Sequence, residues 1–199
     1  MTSGLLFAAC LLVSEPLQEQ VDPWEWVGDV QKDVWADLRT RVQGAPTESR
    51  EIDWSAFIEA DDGWGGTAIL QLWQPWKGSA RARFVTLNGQ NLPGALHGLK
   101  VATPSLTAAQ AAQSLSLESG DVRGCAALDR AAHQLAGIKI KALPQNYLAL
   151  HAPGFKVTIS PAYRDAREYA VDLDENDLAR WAADVLKDAQ HCRSPLTTR

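Results

Sequence analysis

The spacing of apolar residues changes several times along the chain, and each change marks an element. From Asp22 to Arg41, Trp24, Val27, Val34, Trp35 and Leu38 recur near helical spacing and predict one apolar face. Asp22 is placed to cap this helix, Pro23 suits its first position, and Glu25 stands three residues after the cap as in a capping box. Gly44 to Arg50 then reads as a polar linker. Beyond it the period shifts to two: Ile52, Trp54, Ala56 and Ile58 alternate with mostly polar neighbours. The turn cluster Asp61-Asp62-Gly63-Trp64-Gly65-Gly66 separates this strand from a second, Thr67 to Trp73, which Pro75 ends. A third runs from Ser79 to Leu87 and meets the Asn88-Gly89 turn signal. Together 51–87 predicts an antiparallel meander with one face toward solvent.

Gln90 to Lys100, rich in Gly and Pro, reads as loop. A helix is expected from Ser105 or Thr107 through Ala112. Asp121 is placed to cap another, which carries Cys125, Ala126, Leu128, Ala131, Ala132 and Leu135 and stops at Gly137. Strands return over 147–173, as a hairpin turning at Ala152-Pro153-Gly154 and a further strand from Arg167 to Leu173. The clearest element is the last helix, with Asp174 as its expected cap and Leu178, Trp181, Ala182, Val185 and Leu186 as one apolar stripe. The fold class is therefore α+β: an antiparallel sheet packed with helices, in one domain over 20–193, with 194–199 a frayed tail. No internal repeat interrupts this order.

Composition narrows the function classes. The 199 residues are 46% hydrophobic and 22% charged, ordinary for a globular chain that builds its core without a cofactor or metal. A net charge of −5 and scattered Lys and Arg argue against a sequence-independent nucleic-acid binder and against a polybasic membrane patch. Tryptophan stands out: seven of the eight lie between Trp24 and Trp76.

The apolar run from Leu5 to Val13 is too short to span a bilayer and fits the core of an export signal occupying 1–13. Phe7-Ala8-Ala9-Cys10 looks like a bacterial lipobox, which makes Cys10 a lipidation candidate and an N-terminal lipid anchor the only expected membrane contact. The basic residues such a signal needs are missing after Met1, as a start codon assigned too late would explain. The alternative is an apolar strand or helix tucked into the core. Removing Cys10 with the signal leaves Cys125 and Cys192, an even pair at two expected helix ends, and predicts a disulfide. That pairing predicts an oxidising compartment, with the protein in the bacterial periplasm or associated with the outer membrane.

Chemistry is sparse. His97, His133, His151 and His191 form no metal-ligand pair, and there is no GxSxG, P-loop or GxGxxG motif. The candidate binding residues are Trp64, Trp73 and Trp76, at the turns and strand ends of the meander, where a large aromatic is exposed unless a partner or the sheet edge covers it. The expected function is a non-enzymatic binding protein of the cell envelope with a protein partner, one form being an immunity-type inhibitor whose acidic surface steers toward a basic toxin. Two alternatives stand beside it. One is an envelope hydrolase acting on peptidoglycan or another glycan, with Glu59, Asp61 and Asp62 as carboxylates. The other is a structural subunit of an envelope assembly, with a broad apolar patch.

Overall fold

The computed structural model describes residues 21–43, 52–61, 66–87, 89–138, 154–161, 165–172 and 177–193. Cys10 with segment 1–13, the linker 44–50, Asp62, Trp64, residues 147–153 of the expected hairpin, the Asp174 cap and the tail 194–199 lie outside them. The described elements are α1 (Pro23–Val42), β1 (Ile52–Asp61), β2 (Thr67–Pro75), β3 (Arg81–Leu87), α2 (Leu92–Ala102), α3 (Ala108–Ser114), β4 (Leu117–Arg123), α4 (Ala126–Leu135), β5 (Gly154–Pro161), β6 (Arg167–Asp172) and α5 (Asp177–His191). The strands form one six-stranded sheet in the order β4-β3-β2-β1-β5-β6, and every neighbouring pair is antiparallel. The fold is α+β, as the alternation of periods predicts.

The two faces of the sheet bury different sets. Ala56 and Ile58 of β1, Leu70 and Leu72 of β2, Phe84 of β3 and Val157 of β5 pack with α4 and α5. Ile69, Val85 and Leu87, one residue out of step with these, pack with Val27, Val34 and Leu38 of α1 and with Leu92, Leu96, Ala111 and Leu115 around α2 and α3. The wet face expected of the meander is therefore covered over much of its area. The odd positions of β2 and β3 mix apolar with polar residues, so alternation alone reads as half-exposed.

Two further expectations are corrected. Residues 92–102 form a helix: the Asn91 side chain accepts from the Gly94 amide at 2.7 Å, Pro93 occupies the first turn where its missing N–H is harmless, and Leu92 and Leu96 are buried. Asp121 does not cap α4. It lies in β4 opposite Arg83, and Gly124, at φ +64°, turns the chain so that Cys125 becomes the N-cap residue. Gly120 within that strand is required by space, since a Cβ there would stand 2.9 Å from Phe84 Cε1. At α3 the expectation holds, with Thr107 and Gln110 forming a capping box.

The C-terminal helix buries Leu178, Trp181, Ala182, Val185, Leu186 and Ala189. Trp181 Nε1 donates to the Ala131 carbonyl at 2.8 Å, which satisfies the indole and fixes α5 against α4. Cys125 at the start of α4 and Cys192 just past α5 have their Cα atoms 6.0 Å apart, at disulfide distance. No helix among the described residues is long and apolar enough to cross a membrane.

Candidate functional site

Of the three tryptophans singled out from the sequence, two are described, and they part company. Trp73 is 6% exposed. Trp76 is 52% exposed, in the bend after Pro75. That bend is held from both sides: Gln74 Nε2 donates to the Pro75 and Gly78 carbonyls at 3.1 and 3.2 Å, and the Ala80 amide donates to Asp129 Oδ1 of α4 at 2.6 Å. Trp76 is thus presented from a rigid turn.

A second aromatic surface was not expected. Trp24, assigned by its spacing to the buried face of α1, is 55% exposed and stacks on the His97 ring of α2, with centroids 4.1 Å apart. Val101, one turn beyond His97 on α2, is 58% exposed, and Val21, just before the Asp22 cap, is 51% exposed. Periodicity gives the direction of a side chain around a helix but not how far the core extends beneath it. The first turn of α1 rests on α2, where His97 provides a partner ring in place of apolar core. Nearby, Trp26 is packed under Lys100, whose Nζ lies 4.9 Å from the ring centroid and donates to the Pro104 carbonyl at 2.6 Å. Along the outward side of α1, Glu25, Asp29 and Asp33 are exposed at i, i+4 spacing, and none forms an ion pair with a described residue. An aromatic platform with an acidic border is the result.

Of the three carboxylates of the hydrolase reading, Glu59 is the one whose side chain is described, and it is engaged elsewhere. Glu59 is 5% exposed and both of its oxygens are engaged. Oε1 accepts from Trp35 Nε1 at 2.5 Å and from Arg39 Nε, and Oε2 accepts from Arg39 Nη2 at 2.8 Å. With one oxygen shared by the indole and the guanidinium and the other bound to the same guanidinium, this carboxylate is turned into the α1–β1 contact and not toward a substrate. Lys156 and Gly154 complete the wall of a shallow cleft of about 190 Å³ beside this knot. The Glu59 knot pins α1 to β1.

A cleft of about 380 Å³ lies between the β1–β3 end of the sheet and α5, with Thr67, Thr86, Phe155, Leu186, Lys187 and Gln190 on its walls. The Thr67 hydroxyl there accepts from the Leu92 amide at 2.8 Å and so supports the start of α2. Of the histidines, His191 Nδ1 pairs with the Lys187 carbonyl at 2.8 Å, and His133 is exposed on α4. No group of three or more potential metal ligands occurs among the described residues. No protein-family model, curated protein or solved structure matches this chain.

Proposed function

We propose that this protein is a non-catalytic binding protein of the bacterial cell envelope, exported and tethered through Cys10, whose α1–α2 surface docks a basic protein. The observation that carries the reading is the exposed Trp24–His97 stack beside Val101, bordered by the unpaired carboxylates of Glu25, Asp29 and Asp33. Anchoring residues at protein interfaces are typically large aromatics with a polar rim, and acidic rims speed encounter with basic partners. An immunity-type inhibitor of a basic toxin or enzyme is the form that best suits the charge. Placement in the envelope draws support from the Cys125–Cys192 pair, because such a bond persists in an oxidising compartment.

Two measurements test the two halves separately. The intact mass of the protein purified from its host is expected to show a chain beginning at an acylated Cys10 and lacking two hydrogens at the Cys125–Cys192 pair. An unprocessed chain with free thiols removes the envelope from the proposal. Photo-crosslinking from position 24 in living cells is expected to trap one basic protein, with capture lost in the Glu25→Lys, Asp29→Lys variant. Capture that ignores those charges, or no capture, overturns the binding surface.

A further inference from the structure

Antiparallel partners on adjacent strands project from the same side of a sheet. On the side that faces α1–α3, Trp73 of β2 stands opposite Arg81 of β3, and Arg81 stands opposite Arg123 of β4. One step along, Gln71 stands opposite Arg83, and Arg83 opposite Asp121. The two rows share a geometry and differ in chemistry. Arg83 grips Asp121 with two hydrogen bonds, of 2.6 and 3.3 Å. Arg81 and Arg123 confront each other as two cations, and neither has an acidic partner among the described residues.

Like charges directly opposed on a sheet destabilise it. A guanidinium cannot relieve the repulsion by losing its proton. Beside this pair, Trp73 is only 6% exposed, and its indole N–H has no acceptor among the described residues. A buried donor left unbonded loses its hydration with nothing in return. Two unfavourable features thus sit next to each other on one row of the sheet, and one kind of guest relieves both. An anion with several oxygens takes charge-assisted bonds from two forked guanidiniums and has an acceptor left over.

We infer that the Trp73–Arg81–Arg123 row is a binding site for an oxyanion, a sulfate, phosphate or carboxylate group, with Arg81 and Arg123 as its main ligands and the Trp73 indole as a third donor. Arg123 is exposed and Arg81 half-buried, so the site opens at the β4 edge and is reached from solvent. The Arg83–Asp121 pair closes it on the neighbouring row and supplies a fixed wall. This site is separate from the α1–α2 surface and does not depend on the partner proposed for it.

The test is a titration of the full oxidised chain, followed by the Trp73 indole N–H in nitrogen–proton NMR spectra. That resonance is assigned by its disappearance in Trp73→Phe. Sodium sulfate, sodium phosphate and sodium acetate are each compared with sodium chloride at matched ionic strength. The expected result is a saturable shift of this one indole signal, with affinity falling about tenfold or more in Arg123→Gln, a substitution at an exposed position that leaves the core intact. Saturation by sulfate and phosphate but not acetate assigns a tetrahedral oxyanion, and the reverse assigns a carboxylate. An indole signal that moves no more than in chloride, or that saturates equally in Arg123→Gln and Arg81→Gln, overturns the site.

Discussion

The two faces of the sheet are made by the same strands, one residue out of step, yet they are built on opposite principles. Toward α4 and α5 the strands offer Ala56, Ile58, Leu70, Leu72, Ala82, Phe84, Val122 and Val157, all buried and apolar, with Thr86 as a buried polar exception. Toward α1–α3 they offer Ile69, Val85 and Leu87 in company with Glu59, Trp73, Arg81 and Arg83. Burial on the first face is additive, about 25 cal/mol per Å², and tolerates exchange of one apolar group for another of similar volume. Each polar group on the second face needs a particular partner, because an unmet one costs as much as a lost side chain. The first face makes the fold, and the second carries both the helix anchor and the proposed oxyanion site.

The largest expected effect sharpens this contrast from the apolar side. Cys125 at the start of α4 and Cys192 at the end of α5, the two helices of the apolar face, stand at disulfide distance, and a bond between them closes a loop of 67 residues. Chain entropy assigns such a closure about 4 kcal/mol. Cys125→Ser with Cys192→Ser is expected to lower the urea midpoint accordingly, with the m-value showing whether the unfolded ensemble expands. A loss below about 1 kcal/mol breaks the claim that this face relies on its staple.

The second effect probes one close approach on the same face. A Cβ on Gly120 meets Phe84 Cε1 at 2.9 Å and Cζ at 3.0 Å, and Phe84 is fully buried in the core. Gly120→Ala is expected to cost about 2 kcal/mol by overpacking. Gly120→Ala combined with Phe84→Leu is expected to cost less than the sum of the two single changes, read in the same denaturant melts.

How much of this was legible beforehand follows from which interactions are local. The caps at Asp22 and Thr107, the alternation of β1 and the stripe of α5 depend on residues within one or two turns, and the structure keeps them. The pairing of β5 with β1 joins residues such as Ile58 and Val157, and nothing near either position specifies the other. Helix α2 was hidden by Gly94 and Gly98, which read as loop until Asn91 and Pro93 are seen to start a helix. Strand β4 was hidden by Gly120, a poor strand former that is there to admit Phe84. Trp24 and Trp73 exchanged their expected environments for a related reason. Spacing fixes the side of an element a residue lies on, while exposure depends on which other element arrives there. The Arg81–Arg123 opposition is invisible in one dimension, since 42 positions separate residues that face each other.

The smallest expected net effect, that of a double substitution, comes from the polar face and is the sharpest test of the contrast. Glu59 and Arg39 lock α1 to β1 with two hydrogen bonds, and Trp35 adds a third. The two partners are unequally buried, with side-chain exposures of 5% for Glu59 and 37% for Arg39. Removing Arg39 strands a carboxylate in the interior, so Arg39→Met is expected to cost about 3 kcal/mol. Removing Glu59 leaves a guanidinium that reaches water, so Glu59→Met is expected to cost closer to 1 kcal/mol. Replacing both with methionine removes the ion pair together with its desolvation, and apolar substitutes for a buried pair are often neutral. The double variant is therefore expected within about 1 kcal/mol of the parent, less than Arg39→Met alone, with the difference measured as a coupling energy in a double-mutant cycle. If the double variant is instead as unstable as the sum of the singles, the knot acts as two independent contacts and the polar face obeys the same additive rule as the apolar one. If it is stable but α1 loses amide protection in hydrogen exchange, the ion pair positions the helix without adding net stability. On that outcome, Glu59 fixes the Trp35–Arg39 stretch of α1 against β1 and sets how the helix lies on the sheet.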